Sequence, residues 1–206
     1  LEEVASATQR SPHEVAASLA RARAKLFAAR GSRPRPHLDD KVLTAWNGLM
    51  IAAFARTARV LPDGERYSDA AQRAAGFIQS RMWDGKRLLR RYRSGEAAID
   101  GYAEDYAYLI FGLIELFQVD GDPRWLEWAM ALQQRQDELF WDPVEGGWFS
   151  TTGADPSVLL RLKEDYDGAE PAASSVGAIN LLTLAHLTGD AAMTGKIEQV
   201  VSAFGA

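Results

Sequence analysis

Apolar residues recur along this chain in two alternating designs, and both are helical. In the first they cover nearly every face, over Val42 to Leu61, Tyr102 to Val119 and Ser174 to Leu187. A helix that is apolar all round belongs in the interior of a larger fold. In the second they keep to one face. Over Glu65 to Met82 that face carries Tyr67, Ala70, Ala71, Ala74, Phe77, Ile78 and Met82, and Arg124 to Phe140 and Ala191 to Phe204 follow suit. The spacing predicts three buried helices, each followed by an outer, amphipathic one.

Local signals set the boundaries. Pro62-Asp63-Gly64 ends the first buried helix. Asp120-Gly121-Asp122-Pro123 ends the second and starts its successor, with Asp122 as N-cap and Pro123 at the first helical position. Thr188-Gly189-Asp190 repeats that device. Upstream, Ser11-Pro12-His13-Glu14 starts a leading helix that runs to about Ala29 and stops at Gly31, with Val15, Leu19, Ala22 and Leu26 on one face. Gly31 to His37 is a rigid connector, because Pro34 and Pro36 exclude helix. Lys86 to Arg93 reads as an extended arm between the turns Trp83-Asp84-Gly85 and Ser94-Gly95-Glu96, and Gly146 to Ser150 as part of a hairpin.

The pattern is periodic. Trp83-Asp84 and Trp141-Asp142 lie 58 residues apart, and the same offset carries Trp46-Asn47 onto Glu104-Asp105. Repetition at such a period indicates an array of helical hairpins. Buried helices inside, amphipathic helices outside and short β-arms between pairs point to an all-α chain of the α/α toroid type. A ring of that kind closes with six pairs, so the three present amount to about half. The expected organisation is one partial toroid domain over 1–206, with a leading outer helix at 1–30, a Pro-rich connector at 31–40 and three inner/outer pairs over 41–206.

Composition narrows the function classes. The net charge of −5 comes from scattered residues with no basic stripe, which argues against nucleic acid. The chain has no cysteine, so it holds no disulfide or thiolate metal site, and no metal or cofactor is expected. No apolar run reaches the ~20 residues of a membrane helix. Leu1-Glu2-Glu3 is no signal peptide, and a cytoplasmic location is expected. The missing initial Met fits a piece of something longer.

The run Arg33-Pro34-Arg35-Pro36-His37-Leu38-Asp39-Asp40-Lys41-Val42-Leu43-Thr44-Ala45-Trp46-Asn47-Gly48-Leu49-Met50 resembles the signature of a family of long thioredoxin-domain proteins. Gly101 to Ala107 and Leu162 to Pro171 resemble two further blocks of that family. The resemblance implies an N-terminal thioredoxin-like domain, followed by a toroid similar to N-acylglucosamine 2-epimerases and six-hairpin glycosidases. The thioredoxin-like domain of the same full-length chain is then the expected partner. The family resemblance gives a fold and a neighbourhood rather than a reaction.

Candidate chemistry collects at the starts of the buried helices: Asp39, Asp40, Lys41, Trp46 and Asn47 at the first, Tyr102, Glu104, Asp105 and Tyr106 at the second, Glu170 before the third. If the buried helices run parallel, these starts share one polar mouth. Carboxylates there serve as caps or first-turn anions. Carboxylates among aromatic faces also make a sugar site, since rings stack on pyranoses and acids hydrogen-bond hydroxyls or move protons. Asp40 and Asp105 are the favoured acid/base pair, with Glu104 beside them. His37, Trp148 and the loop residues Lys163, Asp165 and Asp167 complete the binding set; Lys41, Lys163 and Arg161 neutralise the carboxylates or hold an anionic substrate. The toroidal epimerases resemble one another in using a histidine pair, and only His37 lies near the mouth here. Two function classes stand: a carbohydrate-acting module, epimerase-like or hydrolase-like, with a small sugar-like ligand, and a non-catalytic binding or scaffold module.

Overall fold

The computed structural model describes residues 1–154 and 156–205. They fall into two compact units, Leu1–Asp39 and Asp40–Ala206. The first holds α1 (Glu2–Thr8) and α2 (Pro12–Gly31). Ser11 caps α2 as its sequence predicts: its hydroxyl accepts from the Glu14 amide at 3.2 Å, and the Glu14 carboxylate accepts from the Ser11 amide at 2.9 Å. Of the expected apolar face Val15 is buried, whereas Leu19 and Leu26 stay exposed. Helix α1 has no sequence signature beyond two acidic residues in its first turn.

The second unit runs β1 (Val42–Leu43), α3 (Thr44–Val60), α4 (Glu65–Arg81), β2 (Leu89–Arg93), β3 (Glu96–Asp100), α5 (Ala103–Asp120), α6 (Pro123–Phe140), α7 (Ala173–Thr188) and α8 (Ala191–Phe204). Helices α3, α5 and α7 pack side by side in that order, and α4, α6 and α8 lie against them as an outer row. The three expected pairs are therefore present. The arm after α4 is an antiparallel hairpin of β2 and β3, and β1 adds to its β2 edge through Val42↔Tyr92 and Leu43↔Arg91. Sequence marks β2, but it places a turn where β3 begins, because Glu96 to Asp100 becomes a strand only through pairing with β2.

The repeat is visible in atomic detail. Asp84 Oδ1 accepts from the amides of Lys86 and Arg87. Asp142 Oδ1 accepts from those of Val144 and Glu145. Gly121 and Gly189 both take left-handed conformations at helix ends, at φ 68° and 74°, where a side chain is disfavoured. Asp122 and Asp190 then cap the next helices.

Helix α5, flanked on both sides, buries twelve of its residues. The expectation of burial all round fails for the other two inner helices. Trp46, Met50 and Val60 on α3, and Ile179 and Leu182 on α7, are exposed, because each helix is flanked by an inner neighbour on one side only.

Helices α3 and α5 touch backbone to backbone. A Cβ on Gly112 would stand 2.5 Å from the Gly48 carbonyl oxygen, and one on Gly48 2.6 Å from that of Tyr108. No rotamer change relieves a clash with backbone. Gly112→Ala is therefore expected to cost about 1–3 kcal/mol in chemical denaturation. Gly76→Ala, in open space on α4, should instead stabilise by about 0.5–1 kcal/mol. Equal, small effects at both positions would show that the close approach is unimportant.

Candidate functional site

A cleft of about 320 Å³ opens where the N-terminal ends of α3 and α5 meet the segment before α7. Its floor is built on Asp105. This side chain is fully buried, and its two oxygens serve three donors from different elements. Oδ1 accepts from the Ala45 amide of α3 at 3.1 Å. Oδ2 accepts from the Tyr102 amide at 2.9 Å and from Arg90 Nη1 of β2 at 2.8 Å. Burial pushes the Asp105 carboxyl up to about 6; its bonds to Tyr102 and Arg90 oppose that rise, and nearby Glu104 adds to it.

Arg90 Nη1 also reaches Glu104 Oε1 at 2.7 Å, and the guanidinium lies 4.6 Å from the centre of the Tyr102 ring. Glu104, unlike Asp105, keeps part of its carboxylate open to the cleft, with about a quarter of its side chain exposed. One wall is Trp46, which is 58% exposed and whose indole N–H donates to Glu170 Oε1 at 3.0 Å. Another is Tyr108, whose hydroxyl donates to the Pro171 carbonyl. Burial raises the Tyr108 pKa, and the charges of Glu104, Glu170, Glu164 and Asp167 raise it further. Asp167 fixes the start of α7 by accepting from the Ala172 amide at 2.8 Å.

The protein sequence has clear relatives. It is 42% identical to human spermatogenesis-associated protein 20 over 191 residues, and 43% identical to the mouse protein over 193. The similarity falls within one region of that protein. The chain spans 24% of the length of these relatives, which in turn match 87% of it. No family model matches it.

Solved structures share its fold at low identity. A cellobiose 2-epimerase of Bacillus thermoamylovorans superposes with a TM-score of 0.65 at 16% identity, over 81% of this chain and 45% of that one. An α-1,6-mannanase of Salegentibacter gives 0.64 at 14% identity, over 88% and 51%. A GH76 α-mannanase of Bacteroides thetaiotaomicron gives 0.61 at 12% identity, over 82% and 42%. The chain therefore has the α/α toroid fold that these structures share.

Of the residues that sequence singles out, Trp46, Glu104, Asp105 and Glu170 line the cleft. Others do not. Asp40 is half exposed and paired with Arg93 at 2.6 Å. Asn47 turns back to the Leu43 carbonyl. Tyr106 is core, its hydroxyl accepting from the Leu88 amide and its ring set edge-on to Phe140. Trp148 is core as well, its indole donating to Asp137 at 2.9 Å. Lys163 is spent on Asp142, at 2.6 Å, and on the Gly146 carbonyl. Asp165 and Lys41 are exposed residues outside the lining, and Tyr102 is an exposed platform under Arg90. His37 and Asp39 are exposed in the first unit.

Three lining residues carry no local sequence signal: Arg90, Tyr108 and Glu164. Arg90 sits in an arm of five residues, three of them arginines, and only the pairing of β2 aims this one at α5. Among the described residues no group of three or more His, Cys, Asp or Glu is placed to hold a metal ion, and no helix is long and apolar enough to cross a membrane.

Proposed function

We propose that this chain is one sector of a larger α/α toroid and that its cleft binds carbohydrate, with Glu104 as the group that moves protons. The observation that carries this reading is the exposed Trp46 face beside a carboxylate-lined cleft at the inner-helix N-termini. An apolar ring wall with acceptors around it suits a pyranose, which offers one flat apolar face and a rim of hydroxyls. Similarity to an epimerase and to mannanases supports the same class. Asp105 is assigned the scaffold role and Glu104 the chemical one, since Glu104 alone of the pair is open to the cleft. In the longer protein this sector works beside a thioredoxin-like domain, in the cytoplasm.

The test uses the full-length protein with cellobiose and α-1,6-mannobiose, followed by product analysis and calorimetry. Trp46→Ala should weaken binding at least about tenfold, as loss of a stacking anchor does, and Glu104→Gln should remove turnover while sparing binding. Turnover unchanged in Glu104→Gln removes its assignment. Binding without any turnover supports a second reading, a non-catalytic sugar-binding module. That reading is favoured by one feature: Arg90 already holds Glu104 in an ion pair.

A further inference from the structure

The cleft has a charge pattern that bears on which sugars it takes. Four carboxylates line it, those of Glu104, Asp105, Glu164 and Glu170, against one guanidinium, that of Arg90. That guanidinium is committed: it contacts Asp105 and Glu104 at 2.8 and 2.7 Å and lies over the Tyr102 ring. Glu164 has no hydrogen bond or ion pair among the described residues. Glu170 has one donor, the Trp46 indole, which is neutral.

Two of the cations that sequence offers for an acidic ligand, Lys163 and Arg161, are engaged elsewhere. Lys163 is held by Asp142 and Gly146. Arg161 donates to the Thr151 and Leu139 carbonyls and packs over the Phe149 ring at 4.1 Å. Arg93 pairs with Asp40. An anion entering the cleft meets excess negative charge in a partly desolvated site, where like charges repel strongly.

Resting on the carbohydrate reading, we propose that the cleft selects neutral or amino-bearing sugars and rejects sugars carrying a carboxylate or phosphate, with Glu164 and Glu170 as the excluding charges. Hydroxyl and ammonium donors find acceptors in these carboxylates; the anionic group of a uronate or phosphosugar meets repulsion. The rejection is thus built from repulsive elements as well as attractive ones.

The experiment compares glucose, glucosamine and glucuronate binding to the full-length protein by calorimetry at neutral pH and low salt. Glucuronate should bind at least about tenfold more weakly than glucose, and glucosamine at least as tightly. In Glu164→Gln/Glu170→Gln, both on an exposed segment, the ratio of glucose to glucuronate affinity should shrink several-fold, because each amide keeps an acceptor oxygen for hydroxyls but removes the charge. Glucose binding with glucuronate equal or tighter overturns the selectivity and leaves the carbohydrate reading standing. A glucuronate penalty that persists in the double variant overturns the assignment to these two residues. Failure of all three sugars to bind, with cellobiose and α-1,6-mannobiose failing too, overturns the carbohydrate reading and the selectivity with it.

Discussion

Replacing Asp105 by alanine should cost about 3–5 kcal/mol of stability at neutral pH, the scale for breaking a buried ion pair from one side. The change strands the Ala45 amide, the Tyr102 amide and half of the Arg90 contact at once. Asp105→Asn keeps the volume but offers one acceptor to three donors, so it too should destabilise, by less. The wild type should also show a pH slope that both variants lack. Folded Asp105 holds its proton up to about 6, whereas an unfolded aspartyl releases it near pH 3.9. Folding therefore takes up a proton between those values. The pH-dependent part of this carboxyl's contribution is fully present below about pH 4 and lost as pH rises through about 6, so the alanine cost is at its lower end at neutral pH and grows toward pH 4. Urea titrations of the three proteins from pH 4 to 8 measure this. A loss under 1 kcal/mol for alanine, or identical slopes, would deny Asp105 its anchoring role.

Trp148→Ala should be comparably damaging, at about 3–5 kcal/mol for a large aromatic removed from a core. The ring is 1% exposed and set edge-on to Trp141 at 5.1 Å. It presses so closely on α7 that a Cβ on Gly177 would lie 2.7 Å from it. Its indole bonds Asp137 of α6, which also receives Lys196 of α8 at 2.5 Å. One side chain thus ties the α6–α7 connection to α6 and α7, and through Asp137 to α8. Trp148→Phe should fall between wild type and alanine, keeping ring contacts but losing the Asp137 bond. Denaturant midpoints and near-ultraviolet circular dichroism check this, and an alanine variant within 1 kcal/mol of wild type would exclude a core role.

These two residues also show how far the sequence could be read. The helices of the second unit and their ends were legible, because apolar periodicity and the Asp-Gly-Asp turns act over a few residues. Placement of the helix starts at one mouth was legible too, since the repeat carries Trp46 onto Glu104 and the cleft contains both. What was not legible depends on distant partners. Trp148, in a glycine-rich turn, looks like an exposed stacking ring until Gly177 of α7 makes room for it. Asp105 looks like the stronger acid/base candidate until three donors from three places consume it. Asp40 looks like its mate, but β1 runs beside β2 and leaves it with Arg93 instead.

The pairing of α3 with α5 has a mechanical consequence. The two helices are pinned at the cleft by Asp105 and Ala45, further along by Gly48 and Gly112, and toward the far end by Glu115, which holds Arg56 and Arg59 at 2.8 and 2.5 Å. Two rods pinned at three points keep no hinge between them, so the floor of the cleft is a fixed jaw. The other side is a strap without helix or strand, tied at one end by Leu162 to Ser150 and at the other by Pro171 to Tyr108. Any adjustment of the cleft's width therefore falls to that strap, with the helices as its frame.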